Sequence, residues 1–184
     1  MKKYLFALTA LVLVSCNQTP EQKAEDLIKP EICQNLLKPD TYELVDIKVD
    51  SAFAPLDSRE FYDMMDSLLN CFAAIHDLAK NAANNNGDID MPLYNKMSKD
   101  LLQGMHAFDD SMKAEKRFIG YKVYHKYHTE NIENELRFYK DYFYVDKDIE
   151  NIIFKLNFSS HEYYSEFIDT MKVSIEDLKS QGRF

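Results

Sequence analysis

The sequence contains no tryptophan and only four glycines among its 184 residues. So few glycines leave little material for loops that cradle phosphate groups, and no Gly-rich phosphate-binding motif occurs. A serine nucleophile on a Gly-x-Ser-x-Gly turn is also missing. These absences leave no recognisable catalytic motif, and the sequence predicts neither an enzyme nor a cofactor.

Basic residues are few compared with acidic ones, 22 against 31. If the first fifteen residues are removed, Lys2 and Lys3 are lost and the balance becomes 20 − 31 = −11. Such a surface repels phosphate backbones, which are bound by clustered lysine and arginine. Nucleic acid is therefore not an expected partner.

Long apolar runs are limited to the amino terminus. Lys2 and Lys3 precede a run from Tyr4 to Val14 that is apolar apart from Thr9. Including Ser15 this run has twelve residues, whereas a helix that crosses a bilayer needs about 20. A transmembrane helix and an ordinary secretory signal are the alternatives to consider, and the length favours a signal.

The apolar run leads into Leu13-Val14-Ser15-Cys16, so that Cys16 comes immediately after its end. This order resembles the lipobox of bacterial lipoproteins, in which the cysteine is acylated and the preceding peptide is removed. The resemblance implies a signal peptide over residues 1–15, a lipidated Cys16 with a short tether over 16–20, and a single domain over 21–184. It also implies an anchor of several acyl chains, which is enough for stable membrane attachment.

In such lipoproteins the residue at position 17 influences whether the protein stays in the inner membrane or is moved to the outer membrane. An Asp after the lipidated cysteine often retains them in the inner membrane, and this chain has Asn17. The resemblance therefore implies the outer membrane. Asn17-Gln18-Thr19-Pro20 intervenes before the first acidic residue, Glu21, which favours the periplasmic face.

Cys33 and Cys71 remain once Cys16 is acylated. In an oxidising compartment they either form a disulfide or stay as two buried free thiols. The sequence leaves both alternatives open, because it does not show whether the two Cα atoms approach each other.

Hydrophobic periodicity predicts the order helix, strand, two helices, three strands, helix. Thr19 and Gln22 form a capping box for the first helix, which Pro30 ends or kinks before Glu31–Leu37 resumes it. The predicted strands are 42–53, 118–127, 136–145 and 149–158, and Asp57, Asp90 and Ser159 are the predicted starts of the later helices.

Along the first strand, Val45, Ile47, Val49 and Phe53 are predicted to face inward. The element order gives an α+β fold. One antiparallel sheet of about four strands, the early strand and a three-stranded meander, packs with a central helical hairpin and terminal helices.

Metal sites are not expected. His125 and His128 are three apart on a strand and therefore point to opposite faces. The stretch from Asn84 to Asp90 is rich in oxygen ligands, but an EF-hand with Gly87 in its sixth place would start at Ala82, which has no side-chain oxygen. A helix–helix connector is the better interpretation.

The aromatic content of the meander is the strongest functional signal. Alternation places Lys122, Tyr124 and Lys126 on one face of a strand. The next strand offers that face either a set that contains Tyr142 and Tyr144 or a set that contains Tyr139 and Phe143. The first set gives the predicted binding face, comprising Lys122, Tyr124, Lys126, Tyr142 and Tyr144. The alternative is ordinary cross-strand pairing under a cover of helices.

Residues 39–53 and 118–131 resemble segments of small uncharacterised lipoproteins of Bacteroidota. Those proteins pair a Pro-x-Ser/Thr-Tyr turn and a Val-Asp-Ser strand, here Pro39 to Ser51, with a later Gly-Tyr-x-Val-x-His-Lys strand, here Gly120 to Lys126. The resemblance implies a location in the cell envelope. It implies no known activity and no catalytic residue.

Three functions follow from these observations. The first is a lipid-anchored, non-catalytic binding module for a protein, peptide or glycan, with the tyrosine-rich face as its contact surface. The second is a protective inhibitor or immunity lipoprotein whose acidic surface meets a basic toxin or enzyme. The third is a hydrolase with an unrecognised site, which a deep pocket beside a perturbed histidine or cysteine would favour.

Overall fold

The computed structural model describes residues 18–84 and 89–184. The predicted signal peptide and Cys16 therefore lie outside the described residues, as does most of the Asn84–Asp90 connector. The helices of the described chain are α1 (Pro20–Cys33), α2 (Arg59–Asn84), α3 (Met91–Lys113) and α4 (Phe158–Ser180), and the strands are β1 (Glu43–Ala54), β2 (Arg117–Glu130), β3 (Leu136–Val145) and β4 (Ile152–Asn157).

The four strands form one antiparallel sheet in the order β1-β2-β3-β4. Each strand is thus next to its neighbour in sequence, with β1 and β4 at the edges. The predicted α+β class and four-stranded sheet are confirmed.

The chain divides into two compact units. Unit 1 comprises the described residues up to Ser51 and Gly120–Asn157, and unit 2 comprises Ala52–Ile119 and Phe158–Phe184. A single domain over 21–184 stays a prediction.

Unit 1 has a core between α1 and one face of the sheet. Ala24, Ile28 and Ile32 recur at intervals of four on α1, so they form one stripe, and all three are buried. They share the core with six residues of the sheet and its connections, Tyr42, Val123, Tyr127, Phe143, Val145 and Ile149.

Unit 2 is built from α2, α3 and α4, and α2 and α3 form the predicted hairpin. Phe61 of α2 packs on Phe108 of α3, with ring centroids 6.0 Å apart. Tyr164 of α4 packs on Tyr62, and its hydroxyl donates to Asp66 Oδ1 at 2.5 Å. Gly104 allows α3 to approach Leu68 closely, since a Cβ there would meet that side chain at 2.7 Å.

Some predicted element ends are confirmed and others are wrong. The Thr19–Gln22 capping box and the Asp90 cap are present. By contrast, Ser58 rather than Asp57 caps α2, because its hydroxyl accepts from Phe61 N–H at 3.3 Å while the Asp57 carboxylate accepts from Phe53 N–H.

Three further boundaries differ from the predictions. Helix α1 passes Pro30 and ends at Cys33, and α4 begins at Phe158, so Ser159 lies inside that helix instead of capping it. Strand β4 begins at Ile152, because Ile149 has a left-handed backbone (φ 55°) and belongs to the preceding turn.

The inward face of β1 also departs from strict alternation. Ile47 and Val49 pack against the unit 1 core as predicted, and Leu44 joins them. Val45 and Phe53 are exposed, whereas Ala52 is buried. The prediction for Val45 and Phe53 is therefore wrong, since the inward positions do not keep one period along the strand.

Candidate functional site

A pocket of about 380 Å³ lies in unit 1, between the end of α1 and the inward face of the sheet. Helix α1 and the residues that follow it supply one wall, Glu31, Ile32, Asn35 and Leu36. The strands supply the other wall, Tyr127, Tyr139, Asp141, Phe143 and Lys155. Its volume is within the range of small-ligand sites, about 300–1,000 Å³.

Strand register explains why these side chains meet. Tyr127 of β2 is directly opposite Tyr139 of β3, and Phe143 of β3 is opposite Lys155 of β4. Residues that are directly opposite each other in a sheet point to the same face. Tyr139, Asp141 and Phe143 alternate along β3, so all of them point toward α1.

The aromatic part of the pocket is a stack of two rings. Tyr139 lies on Tyr127 with centroids 5.2 Å apart and an interplanar angle of 16°. Tyr127 in turn contacts Tyr42 at 5.5 Å, and both of these rings are buried. Tyr139 is 42 % exposed, so it is the one ring of the three that presents a surface to a ligand.

The polar part is an ion pair. Lys155 Nζ lies 2.9 Å from Asp141 Oδ2 and 5.2 Å from the centroid of Phe143. Asp141 is only 6 % exposed, and a carboxylate removed from water to that extent needs a charged partner. Lys155 supplies that partner and stays half-exposed itself.

The α1 side adds a second carboxylate and an amide. Asn35 Nδ2 donates to the Glu31 backbone carbonyl at 3.0 Å, which fixes the amide at the rim. Glu31 is exposed. Glu31, Asp141 and Lys155 together give the lining a formal charge of −1, so the pocket disfavours anions.

His125 lies behind the pocket wall. It is fully buried, and its ring contacts Tyr127 at 5.4 Å and Phe143 at 6.0 Å. Its Nε2 is 3.0 Å from the Tyr42 hydroxyl, while its Nδ1 has no hydrogen-bond partner among the described residues. Burial, and then the charge of Lys155, lower the pKa of His125 from 6.5 to about 4, so the ring is neutral at pH 7.

The pKa values of Tyr42 and Tyr127 are shifted upward, opposite to that of His125. Burial, as the largest cause, raises the pKa of both phenols well above the ordinary value of 10, since it disfavours the phenolate. Both hydroxyls are therefore neutral at physiological pH, and the wall between pocket and histidine is uncharged.

The binding face predicted from the sequence is the opposite face of the same strands. Tyr124 is opposite Tyr142 and Lys122 is opposite Tyr144, so the structure brings these residues and Lys126 to one face, as expected. Tyr144, however, is 1 % exposed and is stacked on Phe154 at 4.2 Å. Its inclusion in a contact surface is wrong, because the neighbouring strand covers its ring.

The other members of that face are half-buried. Tyr124 and Tyr142 contact each other at 5.5 Å, and Lys48 Nζ lies 5.9 Å from the Tyr124 centroid. These contacts are the cross-strand pairing that the sequence left as the alternative. The pocket on the opposite face is therefore the better candidate site.

The histidine and cysteine predictions have clear outcomes. His125 faces the core and His128 faces the other side, where its Nε2 lies 3.0 Å from Glu43. Over residues 18–84 and 89–184, no group of three or more His, Cys, Asp or Glu side chains is placed to hold a metal ion.

Cys33 and Cys71 are both free thiols, one in each unit, so the disulfide alternative is not realised. Cys33 packs against the unit 1 core, and Cys71 Sγ donates to the Met97 carbonyl at 3.4 Å. Burial, and then Asp100, raise the pKa of Cys71, which keeps this thiol protonated and unreactive.

Sequence reasoning missed Tyr127, Tyr139, Asp141 and Lys155 as site residues. One signal was present, because Asp141 alternates with Tyr139 and Phe143 on what becomes the inward face of β3. A charged residue at an inward position needs a buried partner, and it therefore marks a site candidate.

In the part of the chain that the structure describes, no helix combines the length and the apolar character that a membrane crossing requires. Among known proteins, no family model, no curated protein and no solved structure matches this chain.

Proposed function

We propose that this protein is a lipid-anchored binding module of the bacterial cell envelope, and that it holds its ligand in the unit 1 pocket. The order of residues at Leu13–Cys16 supports the anchor, Asn17 supports the outer membrane, and the absence of an acidic residue before Glu21 supports its periplasmic face. The resemblance to small Bacteroidota lipoproteins supports a location in the cell envelope.

The pocket is the observation that carries the binding role. It combines an exposed aromatic ring, Tyr139, with an ion pair whose carboxylate is nearly buried, Asp141–Lys155, and apolar walls from Ile32 and Leu36. Ligand sites are mostly apolar clefts in which a few fixed polar groups orient the ligand. The stack on Tyr127 and the salt bridge hold both contact groups in place before a ligand arrives, which lowers the entropy cost of binding.

The test is a nuclear magnetic resonance titration of the full chain with fractions of host envelope extract, separated into glycans, peptides and small molecules. We expect at least one fraction to shift the ring resonances of Tyr127 and Tyr139. The Tyr139→Ala variant loses this response, whereas Tyr163→Ala, which removes an exposed tyrosine in unit 2, retains it.

Other results would contradict the proposal in distinct ways. Shifts confined to Tyr124 and Tyr142 would return the site to the opposite face of the sheet. A basic protein that shifts resonances away from both faces would favour the inhibitor or immunity role. A lack of response to every fraction would remove the binding role.

A hydrolase is the second candidate, because the neutral His125 lies directly behind the pocket wall. A general base of this kind has to contact its substrate, which requires Tyr127 or Phe143 to move aside. Recovery of the bound ligand unchanged after incubation supports binding alone. Recovery of a cleaved ligand, lost in His125→Gln, supports the hydrolase.

A further inference from the structure

We infer that the unit 1 pocket binds one neutral sugar ring. This inference rests on the proposed binding function and names the chemical class of its ligand. Three features of the pocket support it: the ring of Tyr139, the Asp141–Lys155 pair and the small net charge of the lining.

Tyr139 provides a platform for a sugar ring. One of its faces is taken by Tyr127, at 5.2 Å and nearly parallel, while the residue lines the pocket and remains 42 % exposed. One side of a pyranose ring carries mainly C–H bonds, which are weakly positive. An aromatic face is negative, so the two surfaces attract each other as well as excluding water.

The Asp141–Lys155 pair offers an acceptor and a donor side by side. Asp141 Oδ2 and Lys155 Nζ are 2.9 Å apart. Every sugar hydroxyl is both a donor and an acceptor, so one hydroxyl can donate to the carboxylate and accept from the ammonium group at the same time. Hydrogen bonds to charged groups are the stronger kind, and the buried setting of Asp141 strengthens them further.

The charges of the lining favour a neutral ligand over an ionic one. The carboxylates of Glu31 and Asp141 repel an anion. A cation bound at Asp141 would have to displace Lys155, and it would leave that ammonium group without its partner beside Phe143. A neutral hydroxyl bonds to both groups while they remain paired.

Ile32 and Leu36 complete the pocket on the side of α1. They shield part of a bound ring from water, which adds apolar contact opposite Tyr139. Asn35 supplies a side-chain carbonyl oxygen at the rim, because its Nδ2 is already bonded to the Glu31 carbonyl. This oxygen can accept a further hydroxyl proton.

The experiment titrates the full chain with defined probes. These are the methyl glycosides of glucose, galactose and mannose and the disaccharide of N-acetylglucosamine, with methyl glucuronide as the anionic probe and tetramethylammonium as the cationic one. Saturation transfer from protein to sugar C–H protons and the ring resonances of Tyr139 are the readouts. We expect at least one neutral sugar to respond and both ionic probes to fail.

Variants test the contributions of the Tyr139 ring and the Asp141 carboxylate separately. Tyr139→Ala weakens the affinity for the responding sugar by at least about tenfold. Tyr139→Phe keeps the ring, and its affinity stays within about twofold of wild type. Asp141→Asn preserves shape but removes the charged acceptor, and it weakens binding by about tenfold. Tyr163→Ala is the matched control and leaves the affinity unchanged.

The inference is overturned if none of the neutral sugars responds, if an ionic probe occupies the pocket instead, or if Tyr139→Ala leaves sugar affinity unchanged. Wild-type saturation transfer does not depend on whether the variants fold, so it decides the matter by itself. Envelope fractions that shift the pocket while the sugars do not would leave the binding function intact and refute only the ligand class.

Discussion

At the scale of single residues, His125 shows how one buried polar group links sequence to stability. It lies on the inward face of β2 with Val123 and Tyr127, and its side chain has one hydrogen bond within the described residues, to the Tyr42 hydroxyl. Asp141 is directly opposite it on β3, and Lys155 is the charge that lowers its pKa further. An imidazole in this setting is stable only in its neutral form.

This residue makes stability depend on pH. The pKa of His125 is about 4 in the folded protein and 6.5 in the reference state. Between these values the unfolded chain binds a proton that the folded protein does not, so the free energy of unfolding falls as pH drops from 6.5 toward 4. The loss is on the order of 3 kcal/mol over the whole window, of which about 2 kcal/mol is present by pH 5, and urea unfolding at pH 7.5, 6, 5 and 4 measures it.

The control for this prediction is His76→Gln, which alters an exposed histidine of α2. This variant should retain the wild-type pH dependence, whereas His125→Gln should flatten it. An unchanged slope in His125→Gln would show that other groups cause the acid sensitivity. Stability that increases on acidification would contradict the buried neutral state.

At the scale of elements, Gly120 sets how closely β2 and β3 approach. Its φ is +150°, and a Cβ at this position would collide with the Val145 carbonyl oxygen. The positive φ strains the backbone of any residue that has a Cβ, and the carbonyl oxygen leaves no room for that atom. The predicted strand 118–127 includes Gly120, but no local pattern in the sequence indicates this contact.

The Gly120→Ala substitution should therefore destabilise the fold by about 3 kcal/mol or more, because the clash is with backbone that cannot turn away. Gly182 is the matched comparison. It lies just after the end of α4 and has φ +66°. The Gly182 N–H donates to the Lys179 carbonyl, and the Arg183 N–H donates to the Leu178 carbonyl. This is a Schellman cap.

Nothing lies within 4 Å of a Cβ at Gly182, so Gly182→Ala should cost only the left-handed backbone penalty, about 1 kcal/mol. Urea midpoints of the two variants and the wild type provide the measurement. Equal destabilisation by both substitutions would rule out the close approach of β2 to the Val145 carbonyl.

At the scale of the whole molecule, the proposed lipid anchor predicts where the protein is found. We expect Cys16→Ala to abolish acylation, because the thiol is the site of lipid attachment in the lipobox interpretation. The variant should move from the membrane pellet to the soluble fraction of host cells. Mass spectrometry of wild-type protein from the host should find an acylated Cys16, and an unmodified first residue would refute the anchor.

The two thiols provide a second test at this scale. Cys33 and Cys71 belong to different units and are free. Reducing agent should therefore leave the unfolding midpoint unchanged, and a thiol reagent added after denaturation should label both residues. If reduction lowered the unfolding midpoint of the wild type but not that of Cys71→Ser, a disulfide between Cys33 and Cys71 would be shown.

The sequence by itself determined the elements and their class. Apolar periodicity located the helices and strands, and local signals such as the Thr19–Gln22 box and the Asp90 cap fixed helix starts, because these interactions span only three residues of chain. The opposite orientations of His125 and His128 also followed from alternation alone.

Only the tertiary structure decided the site. Alternation showed that Tyr139 and Tyr142 point to opposite faces of β3, but it did not show which face α1 covers or that β4 buries Tyr144. The pocket is built from residues far apart in the chain, such as Glu31 and Tyr139 in its lining and Asp141 and Lys155 in its ion pair. Strand register and the docking of α1 bring these residues together, and no local pattern encodes either.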